Sequence, residues 1–157
     1  MKKYTTKSTD SKKVEEPLSL YLTDIFNTSM FDSSPSKIRD FVNKGVGFNF
    51  LNKLQVHLGF SEEKWADILS LSPKSLQRYR KEKDFKFRPI HSEKLVEIAE
   101  VVDAGLEVFG DNDKFYLWLS TPNFALGNQK PIDLISDSYG KQMVLEELVR
   151  IEHGIFV

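Results

Sequence analysis

From residue 48 onward the apolar positions recur at helical spacing, and after Gly59 each run has a capping residue before it and a breaker or turn after it. The pattern predicts a helix over residues 48–58, stopped by Gly59. Ser61 can cap a second over 62–70, with Glu62 and Glu63 in the first turn, where the helix dipole favours acids. Ser72 and Pro73 open a third over 73–83, proline standing at the first helical position, where its missing N–H costs nothing. Ser92 is expected to cap a long helix with a core stripe of Leu95, Ile98, Val102 and Phe109, ended by Gly110. Asp111 or Asn112 starts a short helix carrying Phe115, Trp118 and Leu119, with Trp118 expected in the core, closed before Pro122. Residues 131–136 read as one or two helical turns. A last helix from about Ser138 sets Val144, Leu148 and Ile151 on one face and ends near Gly154.

Upstream the pattern is less regular. Ile38, Phe41 and Val42 follow a Ser-Pro segment at helical spacing, and Gly45 and Gly47 come after them. Residues 18–31 are apolar enough to pack, but their spacing does not separate helix from strand. Residues 1–17 are polar and charged, the composition of a mobile tail. No segment alternates as a strand does, so the fold class is all-α. Three stretches result: an N-terminal segment of unassigned role (1–37), a helix-turn-helix unit (38–103) and a small C-terminal helical unit (104–157).

The chain of 157 residues is long enough to bury a core, as one domain or as two small helical ones sharing an interior. No apolar run approaches the roughly 18 residues of a spanning helix, and no apolar segment follows the early lysines as a secretory signal would require. The expected location is therefore the cytoplasm, without membrane contact. The absence of cysteine removes disulfides, thiolate zinc sites and a cysteine nucleophile together. The net charge of -1 is unevenly spread. Residues 72–94 carry eight Lys or Arg against three acids, whereas residues 95–157 carry four against eleven. Only the first stretch suits phosphate.

That basic stretch coincides with the second of two short helices separated by so few residues that they must cross steeply, the geometry of a DNA-binding helix-turn-helix. Trp65, Leu69, Leu71, Leu76 and Tyr79 occupy the motif's apolar places, and Ala66 the place where crossing helices need a small residue. Ser70 stands where the motif often has glycine. At about 100° per residue, Leu76 and Tyr79 fall on one side of the second helix and Lys74, Gln77, Arg78 and Lys81 on the other. Arg and Lys suit guanine or phosphate, and Gln suits adenine. Ser72, Ser75 and the N–H groups at the helix start suit a phosphate oxygen. Arg80, Lys83, Lys86 and Arg88 are expected on the flanks as backbone contacts. A cationic helix face is also what an ordinary solvated surface looks like; the caps, the short turn and the apolar positions together favour the helix-turn-helix. So few cations on one unit bind weakly, so useful affinity for operator DNA calls for a homodimer on two half-sites.

In the C-terminal stretch, VFGD is followed by WLSTPNFALGNQKPIDLI and by a final helix ending in RIEHGIF. That ordered succession resembles the toxin-binding domain of the Xre/MbcA/ParS antitoxin family, whose members place a helix-turn-helix of this type directly before it. With residues 38–110 the resemblance covers about three quarters of the chain. It implies an antitoxin partnered by a RES-domain toxin, an NAD-consuming fold similar to ADP-ribosyltransferases. It implies that the antitoxin's C-terminal region lies over the toxin's NAD cleft, and that the complex represses its own promoter. Carried onto this chain, the covering residues are Arg150, His153, Gly154, Ile155, Phe156 and Val157. Independently of the resemblance, Gly154 breaks the helix and leaves an apolar tip ending in a carboxylate, which suits a partner pocket or a fold back onto its own domain.

An enzyme reading has little support. Histidine occurs only at His57, His91 and His153, and there is no HExxH, no glycine-rich phosphate loop and no nucleophile elbow. Neither catalytic residues nor a metal site nor a cofactor is expected. The rival reading is a stand-alone helix-turn-helix transcription regulator whose C-terminal domain only dimerises.

Overall fold

The structure, a computed structural model, describes residues 34–155. The expectations for residues 1–33 and for Phe156 and Val157 lie outside the described residues. Within them the chain forms α1 (Pro35–Lys44), α2 (Phe48–Leu58), α3 (Glu62–Ile68), α4 (Pro73–Lys81), α5 (Pro89–Phe109), α6 (Asn112–Ser120), a 3₁₀ turn (Phe124–Leu126), α7 (Pro131–Leu134) and α8 (Ser138–Glu152). The fold is all-α; extended pairing among the described residues amounts to the isolated bridges Gly47–Lys86 and Asn123–Gln129.

Local signals place most boundaries. The Ser61 hydroxyl accepts from the Lys64 N–H, and Asp111 and Asp137 cap α6 and α8 through the N–H groups of Lys114 and Gly140. Gly59 and Gly110 close α2 and α5 in the left-handed region, at φ of 59° and 64°, which a Cβ disfavours.

Three sequence expectations differ from the structure. Ser92 does not cap α5, because Pro89 opens that helix one turn earlier, with Arg88 as the cap residue. Ser92 is instead fully buried: its hydroxyl accepts from the Val46 N–H at 3.0 Å and donates to the Phe87 carbonyl at 3.1 Å. With the Phe87 N–H on the Val46 carbonyl at 2.9 Å, this seals the α1–α2 loop against the entry of α5. Trp118, and Phe109 at the end of the expected α5 core stripe, are half-buried rather than core; they pack together at a ring separation of 5.6 Å, with the buried Phe115 ring 6.2 Å from Phe109 and 6.4 Å from Trp118.

α5 is the spine, in contact with α1, α2, α6 and α8. One continuous apolar core runs along it, from Leu51, Leu54 and Trp65 at one end to Phe115, Val144 and Leu148 at the other. Residues 103 and 104 both lie inside α5, so the two sequence stretches are joined by a shared helix. Two glycines permit the closest packing. A Cβ on Gly105 would run into the Phe115 ring, and one on Gly140 into the Leu134 carbonyl. Since glycine inside a helix costs about 1 kcal/mol against alanine, its presence at residue 105 reflects this close approach.

Candidate functional site

The turn between α3 and α4 explains how serine serves where glycine is usual. Ser70 takes φ of 52°, its N–H donates to the Asp67 carbonyl at 3.0 Å, and the Leu71 N–H donates to the Ala66 carbonyl at 2.8 Å. These two bonds are the Schellman termination, which satisfies the last carbonyls of α3 and turns the chain sharply. Trp65, Ala66, Leu69 and Leu76 are buried at the crossing, and Leu71 and Tyr79 are half-buried beside them. Tyr79 stacks on Phe85 at 4.2 Å, and Phe85 meets Phe87 edge-on at 4.9 Å, so an aromatic wall fixes the inner face of α4.

The outer face is left open. Ser72, Lys74, Ser75, Gln77, Arg78 and Lys81 border one shallow surface depression. Ser72 caps α4 by accepting from the Ser75 N–H at 3.0 Å and spends its own proton on the Ser75 hydroxyl at 2.9 Å. The Ser75 proton remains to donate outward. Lys74 and Lys81 have no carboxylate partner among the described residues, and Arg78 has only a loose one, Glu82 at 3.8 Å. Arg80 is placed differently from its neighbours. Its guanidinium sits 3.0 Å from Glu62 and over the Phe48 ring at 5.4 Å, away from the depression.

At the start of α3, the Glu63 carboxyl is held below its ordinary range by its own backbone N–H, with the Ser61 hydroxyl adding to the effect. In α5, burial pushes the His91 imidazole below its ordinary range, and the Arg88 charge adds to this; a hydrogen bond to the Leu69 carbonyl acts the other way.

The far end of the molecule has the opposite electrostatic habit. Lys94, Lys141 and Arg150 are each paired at 2.8 Å, with Glu97, Glu100 and Glu147. The end of α8 is a second Schellman termination: the Gly154 N–H donates to the Ile151 carbonyl at 3.0 Å and the Ile155 N–H to the Arg150 carbonyl at 2.8 Å, with Gly154 at φ of 68°. The His153 Nδ1 lies 2.8 Å from the Val149 carbonyl, an oxygen that can only accept, so Nδ1 carries the proton. Arg150, His153, Gly154 and Ile155 thus belong to one hydrogen-bonded helix end, with His153, Gly154 and Ile155 exposed. The sequence reading missed Glu147, which is buried at 8% exposure and holds Arg150. A glutamate three residues before an arginine is the only local signal for it. In the loop at residues 123–129 the Asn123 side chain accepts from the Ala125 N–H at 2.8 Å, the backbone-satisfying role that an asparagine after Thr-Pro suggests, and Phe124 stands exposed.

Comparison with known proteins finds two matched segments. Residues 38–100 match the antitoxin Xre-like helix-turn-helix domain, and residues 104–154 match the antitoxin Xre/MbcA/ParS C-terminal toxin-binding domain. Antitoxin Xre of Yersinia enterocolitica is 28% identical over 118 residues, covering 74% of this chain and 79% of its own. The mycobacterial cidal antitoxin MbcA of Mycobacterium tuberculosis is 34% identical over 100 residues, covering 64% of this chain and 86% of its own. In the crystal structure of the M. tuberculosis MbcT–MbcA toxin–antitoxin complex, a chain 30% identical superposes with a TM-score of 0.52, covering 69% of this chain and 95% of that one. The fold and both matched segments define an antitoxin with a helix-turn-helix ahead of a toxin-binding domain. The chain belongs to the Xre/MbcA/ParS antitoxin family.

Proposed function

We propose that this protein neutralises a RES-type, NAD-consuming toxin by laying the end of α8 and its tip over the toxin's NAD cleft. The observation that carries this reading is the second Schellman termination, which joins Arg150, His153, Gly154 and Ile155 in one hydrogen-bonded helix end of the domain matched to toxin binding. In this account the chemistry belongs to the toxin, and the antitoxin obstructs it. The relative MbcA is seen in complex with the toxin MbcT, which supports a protein partner of the same kind here.

The same reading assigns the outer face of α4 to operator DNA. Lys74, Gln77, Arg78 and Lys81 face outward with unspent donors, and Ser72 and Ser75 bring the helix start to a phosphate. Two copies binding successive half-sites, about 34 Å apart or a multiple, supply the affinity that one α4 lacks. Autoregulation of the operon follows from these two activities residing in one cytoplasmic chain.

The test is to co-express the chain with the product of the adjacent gene and isolate the complex. Co-elution as a stable complex whose toxin is inactive supports the reading. An isolated gene, or a neighbour that elutes alone and fully active, favours instead the stand-alone regulator.

A further inference from the structure

Among the described residues, four of the large apolar side chains left exposed lie on α8 or its cap: Tyr139, Met143, Val149 and Ile155. Tyr139 is 89% exposed, although its neighbour Gly140 is packed against the Leu134 backbone. At about 100° per residue, Tyr139, Met143, Arg150 and His153 fall within roughly 80° of one another, so they share one outward stripe that runs into the tip. Val144 and Leu148 form the opposite, buried face, and Glu147 lies at the border between the two.

Glu147 is the one acidic side chain buried among the described residues, and its partner is Arg150 at 2.8 Å through Nη1. A planar guanidinium gripped on one side keeps its remaining N–H donors in a fixed direction. The Arg150 side chain is 40% exposed, so those donors face solvent along the stripe. The order of side chains is then an exposed aromatic, a pliable thioether and a pre-oriented cation. Aromatic and arginine anchors of this kind dominate protein interfaces, and pre-orientation lowers the entropic cost of binding.

We propose that this stripe of α8, and not the tip alone, seats the toxin: Tyr139 and Met143 enter an apolar recess, and Arg150, positioned by Glu147, meets a carboxylate of the partner. The occupant is the toxin because the whole stripe lies within residues 104–154, the toxin-binding match, and is continuous with the proposed covering tip. The inference rests on the proposed antitoxin function.

Full-length chains carrying Tyr139→Ala, Met143→Ala and Arg150→Lys are titrated against the purified product of the adjacent gene, with Tm measured in parallel. Lysine keeps the charge that Glu147 attracts but lacks the planar fork. Tyr139→Ala and Arg150→Lys are each expected to weaken binding about tenfold or more, and Met143→Ala severalfold, with Tm unchanged. Binding within twofold of the parent for all three overturns the surface. Loss at Tyr139 and Met143 with Arg150→Lys unchanged overturns the carboxylate contact. The parent chain separates the two readings: if it does not bind, the antitoxin function fails, and if it binds while the variants match it, only this inference fails.

Discussion

Arg80 on α4 reaches back to Glu62 at the start of α3, with 3.0 Å between Nη1 and Oε2, so an ion pair ties the two crossing helices on the side away from the open cationic face. This makes Arg80 a structural cation in a row of otherwise outward ones. Arg80→Ala is expected to lower stability by about 1 kcal/mol, the upper end for a partly exposed pair. Its effect on DNA affinity should be smaller than that of Arg78→Ala. Chemical denaturation and a DNA-binding titration of the same two variants check both halves.

The outward row behaves differently. Replacing Arg78 and Lys81 together by alanine should weaken operator binding by at least tenfold and reduce the slope of log K against log salt by about 2, one for each phosphate that is no longer neutralised. Thermal stability should stay near that of the parent, because Lys81 has no carboxylate partner and Arg78 makes only exposed contacts, with Glu82 at 3.8 Å and over the Tyr79 ring at 5.1 Å. Unaltered affinity and salt slope would mean that the helix-turn-helix is a scaffold without DNA binding.

Ser70 holds a left-handed conformation that its Cβ disfavours. Ser70→Gly keeps both hydrogen bonds of the turn and removes that penalty, so it should raise stability by about 0.5–1 kcal/mol. A rise in the denaturation midpoint checks this. An unchanged or lower midpoint would show that the gain in unfolded-state freedom from glycine outweighs the relief.

His91 gives the fold a pH dependence with a definite sign. Its folded value is lowered below the ordinary 6.5, chiefly by burial, so the unfolded chain binds the proton more readily than the native one. The contribution to stability is therefore fully present above about pH 6.5 and is lost as pH falls from there toward the depressed folded value. Tm measured across pH 7.5 to 5.5 should fall more steeply for the parent than for His91→Asn. Parallel curves would remove His91 as the source.

Much of this architecture is legible in the sequence because it is written in local rules. Ser61, Ser72 and Asp111 cap the helices they precede, and Gly59, Gly110 and Gly154 turn the chain where an L side chain is strained. The side of α4 that carries Lys74, Gln77, Arg78 and Lys81 follows from helical geometry alone. What sequence rules read less well depends on neighbours distant along the chain. Ser92 resembles a cap, yet it serves a loop 46 residues away, and Pro89 is the stronger start signal. Arg80 lies only about 40° around the helix from buried Leu76, which directs it toward Glu62 and Phe48 rather than outward. Trp118 has the composition of a core residue but packs with half-buried Phe109 at the edge of the core, where Phe115 is the ring that is fully buried. For Glu147 the local sign is the arginine three residues on, which points to a pairing but not to burial.

The proposed neutralisation is tested most directly by cellular NAD in cells that express the adjacent gene's product together with one of two antitoxin chains, the full one or one ending at Ile155. A chain ending after Glu152 would also lose the Gly154 and Ile155 N–H bonds that terminate α8, whereas ending at Ile155 keeps them and removes only Phe156 and Val157. The account predicts that the full chain preserves NAD and growth, and that the shortened chain does so less well while still binding. A fall in NAD with the full chain as deep as with no antitoxin would contradict it.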